Sequence, residues 1–185
     1  MSRRIPNCLL VFTLFFWLSC HSKSGQKITL FNKKDLISGT VTGIIDGDTY
    51  DLLISENRTI RIRMTGIDAP ERGMPYYQVS RRYLGELCFH KTVKIRTTGD
   101  DGNRVLAFTY LEDGRELGNE MVRAGLAWHF KKYSSDKNLA ALEMEARIAR
   151  RGLWKDKDPM PPWIYRKMHR EGISTKHLFH DPGNR

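Results

Sequence analysis

Apolar and polar positions alternate over several short stretches of the chain, and stretches with a helical period interrupt or follow them. Thr40 to Ile45 and Thr49 to Ile54 are rich in β-branched and apolar residues and flank Asp46-Gly47-Asp48, the composition of a hairpin with a tight turn. A third strand is written in Thr59 to Met64, where Ile60, Ile62 and Met64 share one face and Arg61 and Arg63 the other. Pro70 ends the extended stretch. Tyr76, Val79, Tyr83 and Leu87 then recur at steps of three and four, which predicts an amphipathic helix from near Pro75 to Phe89. Lys91 to Thr97 alternates again, with Val93 and Ile95 opposite Lys94 and Arg96, and Arg104 to Leu111 forms a fifth strand closing on Asp113-Gly114. Asn119 is placed to cap a short helix running to Gly125. Leu139, Leu142, Ala146 and Ala149 mark the stripe of a longer helix that stops at Gly152.

Five short strands, a helix between the third and fourth, and further helices after the fifth predict an α+β protein: a five-stranded OB-fold β-barrel with three α-helices, one of them plugging the barrel. The domain is expected over 37–168. The stretch 169–185 is polar, has no apolar period and is expected to be unstructured or loosely attached. No internal repeat is visible.

The first residues follow another logic. Arg3 and Arg4 precede an apolar run from Cys8 to Leu18, too short to span a bilayer comfortably, so residues 1–20 read as a signal peptide and 21–36 as a polar linker. Leu18-Ser19-Cys20 resembles the lipobox of bacterial lipoproteins, although Trp17 and Leu18 are unusual before such a cysteine. Acylation of Cys20 therefore stands beside plain cleavage and an uncleaved anchor. The expected location is outside the cytoplasm, either secreted or as an envelope-anchored lipoprotein, and a monomer is expected.

The chain has 185 residues, 40% of them hydrophobic and 28% charged, which suits one soluble domain with a proper core. Of its three cysteines only Cys88 would lie in the folded domain, so a disulfide within it is excluded; Cys88 reads as a buried, inert thiol. The formal charge is +10, and removing residues 1–19 takes away two arginines and no acids, leaving +8. Such a balance favours polyanions, whether nucleic acid, anionic lipid or cell wall, without choosing among them.

Chemistry-bearing residues fall in three separated clusters: Asp46-Gly47-Asp48-Thr49, then Arg63 with Asp68-Ala69-Pro70-Glu71, then Arg104. Alone, each has an ordinary reading: Asp-Gly-Asp is most often a turn, Arg63 a solvated strand residue, Asp68 and Glu71 turn and helix-entry residues. In the predicted barrel, however, the start of the second strand, the end of the third and the loop before the fifth share one rim. That brings Asp48, Asp68 and Glu71 together with two guanidiniums, a set suited to phosphodiester hydrolysis, whose transition state carries extra negative charge. A hard cation such as calcium takes oxygen ligands and polarises a phosphate, for which Asp48 and Asp68 are the expected ligands. Arg63 and Arg104 suit a planar clamp on phosphate oxygens, and Glu71 remains as the general base.

The runs Ile45 to Thr49, Arg63 with Ile67 to Glu71, and Arg104 to Ala107 resemble motifs of the staphylococcal nuclease family, in the same order and spacing. Asn119 to Ala127, Lys131-Lys132-Tyr133, Glu145 to Arg147, Gly152 to Trp154 and Pro161-Pro162-Trp163 are similar as well, so the resemblance covers about Gly39 to Lys167. It implies calcium held by Asp48, Asp68 and the backbone carbonyl of Ala69, with Asp46 as a nearby support. It also implies phosphate contacts from Arg63 and Arg104, Glu71 as base, and cleavage of DNA and RNA that leaves 3′-phosphates with little base preference. Two positions depart from the family pattern. Gly102-Asn103 stands where an aromatic is usual, removing a nucleotide contact, and Ala69 replaces a frequent threonine but keeps the carbonyl.

Lys131, Lys132 and Tyr133, with Phe130, are expected to bind substrate through charge and stacking; the competing reading makes Phe130 a core residue and the lysines a solvated loop. His129 reads as structural, and His169, His177 and His180 are too irregularly spaced to form a metal site. Two other functions were weighed. A non-catalytic OB-fold binder would have no use for three carboxylates beside two arginines, and an adhesive protein would carry its charge in runs or in a basic amphipathic helix.

Overall fold

The computed structural model describes residues 36–179. The expected signal peptide with Cys20, the linker up to residue 35 and the last residues from His180 lie outside these. Seven strands are found: β1 (Leu36–Ile44), β2 (Thr49–Ser55), β3 (Arg58–Met64), β4 (Ile67–Asp68), β5 (Thr92–Asp100), β6 (Val105–Tyr110) and β7 (Trp128–His129). The helices are α1 (Tyr77–Cys88), α2 (Leu117–Arg123), α3 (Lys137–Ile148) and α4 (Pro162–Arg170), with 3-10 turns at Gly152–Lys155 and Lys176–Phe179. Five strands close a barrel in the order β1-β2-β3-β6-β5, while β4 and β7 form a separate two-stranded sheet.

The alternation of β3 is kept in space: Ile60, Ile62 and Met64 are buried, Arg61 is exposed and Arg63 lies between. β3 runs antiparallel to β2 but parallel to β6, with Arg63 opposite Leu106, and this parallel contact closes the barrel. Val41, Tyr50, Leu52, Ile62, Val93, Ile95 and Ala107 fill the interior. The Tyr50 hydroxyl is paired there with Thr109 Oγ1 at 2.7 Å, so its polar end is not stranded in the core.

Helix α1 packs against this core as expected, but through Tyr77, Ser80, Leu84 and Cys88, one position on from the predicted stripe. Tyr76, Tyr83 and Leu87 are only partly buried, and Val79 is exposed. Tyr76, in a left-handed conformation (φ 63°), stands just before the helix, and the row that faces inward is set by the fit of Ser80. Small Ser80 is needed in that row. Its hydroxyl donates to the Leu126 carbonyl at 2.8 Å, and a Cβ added at Gly47 would fall 1.8 Å from Ser80 Oγ and 2.9 Å from Ala69 Cβ. The Asp46-Gly47-Asp48 turn is thus wedged between α1 and the loop after β4, and only glycine fits.

Three other expectations are corrected. Among the described residues four α-helices are present instead of three. α2 starts at Leu117 with Glu116 before it, so Asn119 is a helix residue and not its cap, donating to Glu116 Oε2 at 3.3 Å. The stretch after 168 is not loose throughout: α4 reaches Arg170, Thr175 is buried against His169, and the Phe179 ring lies 6.1 Å from that of Tyr165. Ring contacts hold it, and these leave no periodic trace in sequence. α3 is capped by Asp136, which accepts from the amides of Asn138 and Leu139, and a second apolar cluster of Trp128, Ala146, Leu153 and Trp154 joins β7 to α3. Among the described residues no helix is long and apolar enough to cross a membrane.

Gly47→Ala is expected to cost about 1–3 kcal/mol by overpacking, read as a lower urea midpoint; an unchanged midpoint would show that Ser80 yields freely.

Candidate active site

The site forms where β2 begins and β3 ends. The turn before β2 is closed by the Asp48 amide donating to Asp46 Oδ1 at 3.0 Å, and the Asp48 carbonyl accepts from the Met64 amide at 2.9 Å. The Asp48 carboxylate is then fixed from two sides, taking the Thr49 hydroxyl at 2.8 Å and the Ala69 amide at 2.7 Å. That second bond ties the turn to the loop carrying Asp68 and Glu71. Asp68 is held by the short pairing of β4 with β7, opposite Trp128.

Arg63 joins the two aspartates. Its Nη2 donates to Asp68 Oδ1 at 2.8 Å, and its Nη1 is in ion-pair contact with Asp48 Oδ2, without the alignment of a hydrogen bond. Asp48, Asp68 and Arg63 are nearly dry, with side chains 6%, 1% and 12% exposed. Burial pulls the Arg63 guanidinium down, but Asp48 and Asp68 more than offset it and hold it above its ordinary range. Burial pushes the Asp68 carboxyl up, against the opposing pull of Arg166 and Arg63. The Asp46 carboxyl is pushed up to about 7, first by burial and then by the charge of Asp48.

An open groove of about 1330 Å³ runs across this rim, and Asp46, Asp48, Arg63, Glu71 and Arg104 all line it. Arg104 enters from the start of β6 and is held by Asp101 Oδ2 at 2.6 Å. Asp68 lies just behind the wall, covered by guanidiniums. Further along are Lys131, Lys132 and Tyr133, with Phe130 beside them. Phe130 stacks flat on Trp163 (centroids 5.5 Å apart) and meets Tyr133 edge to face at 4.9 Å. Tyr133 is largely exposed and Lys132 lies over its ring, whereas Lys131 is tied to Glu143 at 2.9 Å. His129 is buried, with Nε2 against Ser134 Oγ at 3.1 Å, in keeping with a structural part.

Sequence reasoning missed Arg166. From α4 it binds both oxygens of Asp68, at 2.8 and 3.1 Å, and Glu71 Oε1 at 2.5 Å. The run Pro161-Pro162-Trp163 brought attention to this segment, yet nothing local sets Arg166 apart from other surface arginines. Trp163, Lys167 and Arg170, also on α4, line the same groove.

Among the described residues no three His, Cys, Asp or Glu side chains form a ready-made metal cage. The donors available are nevertheless of the hard oxygen type: the Asp48 and Asp68 carboxylates and the adjoining Ala69 carbonyl. Burial first, and then the charge of Asp48, raises the Asp46 carboxyl beside these donors, and a divalent cation would offset the part that comes from charge. The residues fit such an ion in chemistry.

Because the Asp46 carboxyl titrates near 7 when folded and at an ordinary 3.8 otherwise, the folded state takes up its proton more readily. Its contribution to stability is full below about pH 4 and is lost as pH rises through about 7. Asp46→Asn should remove that component of the fall, seen in urea midpoints between those pH values without divalent ions; parallel profiles for both proteins would contradict the assignment.

Comparisons with known proteins give the chain a family. The family described as Staphylococcal nuclease homologue matches residues 61–156. A protein of Escherichia coli named Uncharacterized endonuclease is 41% identical over 131 residues, covering 70% of this chain and 85% of its own. A Haemophilus influenzae protein of the same name is 34% identical, covering 70% and 73%. The Micrococcal nuclease of Shigella flexneri is 35% identical over 140 residues, covering 70% and 80%.

Proposed function

The chain belongs to the staphylococcal nuclease family and is a nuclease, and from that premise we propose that it hydrolyses phosphodiester bonds of both DNA and RNA with calcium held by Asp48, Asp68 and the Ala69 carbonyl. One observation carries this reading: a single guanidinium, Arg63, touches both aspartates at the wall of a groove that also receives Glu71 and Arg104. Bound there, calcium would supply Lewis-acid polarisation of the phosphate and offset the clustered carboxylates. Arg63 and Arg104 would engage the phosphate oxygens with planar donors that stay charged, most strongly where extra negative charge develops in the transition state. Glu71, 36% exposed on its side chain, can reach water and would take the proton of the attacking water molecule. Departure of the 5′-oxygen would leave a 3′-phosphate end.

Tyr133 and the Phe130–Trp163 stack offer ring faces that accept any base, which supports weak sequence preference, while Lys132, Lys167 and Arg170 would follow the backbone. Gly102 and Asn103 add no ring beside Arg104, so we propose that base contacts come mainly from the Tyr133 side. We further propose that the enzyme works as a monomer outside the cytoplasm, released by cleavage of its leader or anchored through an acylated Cys20.

Plasmid DNA and RNA should both be cleaved with calcium, and a chelator should stop the reaction. End-group analysis should find 3′-phosphates; cleavage unaffected by the chelator would overturn the calcium reading. Glu71→Gln should lower kcat about 100-fold or more with KM within about threefold, as for loss of a positioned general base. Activity equal to the parent's would remove Glu71 from that role.

A further inference from the structure

Arg166 stands on α4, beyond the span 61–156 matched to the family described above. Its helix is seated on the site by its neighbours. Pro162 opens it, Trp163 stacks on Phe130, and the Tyr165 hydroxyl donates to the Arg72 carbonyl at 3.0 Å, one residue after Glu71. Asp68 Oδ1 accepts from Arg63 Nη2 at 2.8 Å and from Arg166 Nη1 at 3.1 Å, while Oδ2 accepts from Arg166 Nη2 at 2.8 Å. A carboxylate offers about four lone-pair positions, so Asp68 is close to saturated with donors. Oδ2, with one donor, keeps a position open, so a cation that takes Asp68 as a ligand there shares that oxygen with Arg166 and competes with it. Arg63 is the harder to move, being 12% exposed and bound to Asp48 as well; Arg166 is 33% exposed on a surface helix.

The same guanidinium has a second hold. Arg166 Nη1 lies 2.5 Å from Glu71 Oε1, so one planar group bridges the proposed ligand and the proposed base. When its bond to one Asp68 oxygen opens, the contact to Glu71 can remain and keep that carboxylate beside the reacting phosphate.

We propose that Arg166 is a positioning residue of the hydrolytic site, which competes with calcium for Asp68 and keeps Glu71 aligned for the reaction. This rests on the calcium-dependent reading above. Two physical effects push metal affinity the same way when Arg166 is removed: Asp68 loses a competing partner, and the site loses a positive charge that repels the cation. Turnover moves the opposite way, because Glu71 loses its tether. A residue with a merely structural part would weaken both together.

The experiment pairs calcium titration by calorimetry, without nucleic acid, with steady-state kinetics at saturating calcium on the full domain. Arg166→Gln is expected to bind calcium about threefold or more tighter while kcat falls about tenfold or more and KM stays within about threefold. Arg166→Lys keeps the charge but loses the planar fork, and is expected between the parent and Arg166→Gln in both readouts. Unchanged or weaker calcium binding in Arg166→Gln, or an unchanged kcat, overturns the proposal. Should Arg166→Gln fail to fold, Arg166→Lys decides alone, and equality with the parent in both measurements overturns it. If the parent itself binds no calcium and cleaves nothing, the calcium reading fails, and this proposal with it.

Discussion

Arg63 lies in a barrel wall with little access to water, and the surrounding structure depends on how its charge is met. A guanidinium removed from solvent costs several kcal/mol unless partners replace its hydration, and Arg63 has two aspartates, both nearly fully buried. The dependence is mutual. Asp48 and Asp68 could not lie together in so dry a place without a cation between them, and Asp46, in the same turn as Asp48, has its carboxyl raised to about 7 by burial first and by the charge of Asp48 second. The turn before β2, the end of β3 and the loop after β4 therefore settle as one unit, with the Ala69 amide on Asp48 and the Asp48 carbonyl on Met64 as its seams. A site built this way is part of the fold, so losing one member removes a structural partner as well as a functional one.

That unit was largely legible in the sequence because its parts are encoded locally. The alternation in Ile60, Ile62 and Met64 fixed which way Arg63 would face, and Asp48, Arg63, Asp68 and Glu71 lie within one hairpin and the loop that follows it. What escaped was set by contacts between distant segments. Arg166 meets Asp68 across a separation of 98 residues, and no spacing rule joins a helix near the end of the domain to a loop near its start. The α1 stripe was displaced by one residue because burial there follows the fit of Ser80 against Gly47 and Leu126, a matter of size and a hydroxyl bond that hydropathy does not register. The segment after residue 168 looked loose for a related reason: tilted ring contacts of Tyr165 with His169 and Phe179 hold it, and three rings need no period.

Helix α4 changes how the groove is understood. On the barrel alone the site would be a shallow rim facing solvent. Trp163 extends the aromatic wall begun by Phe130, the Tyr165 hydroxyl pins the loop at Arg72, and Arg166 reaches into the acids, so one short helix supplies a wall, a pin and a charge. Desolvation at the reacting end strengthens each electrostatic contact there, and that gain depends on α4 staying in place.

The pairing of charges around the groove bears on how a polyanion could enter a site holding several carboxylates. Each guanidinium at the centre is already engaged by an acid: Arg63 by Asp48 and Asp68, Arg104 by Asp101, and Arg166 by Asp68 and Glu71. These pairs offset part of the acids' negative charge, and Lys132, Lys167 and Arg170 along the walls tip the balance towards attraction. On the proposed reading, arrival of a phosphate would exchange one anion for another on these guanidiniums, of which Arg63 is the most desolvated. Arg104, more exposed than Arg63 and tied to the exposed loop residue Asp101, would make that exchange at the smaller cost, which would leave Arg63 to hold the aspartates in register as the substrate enters.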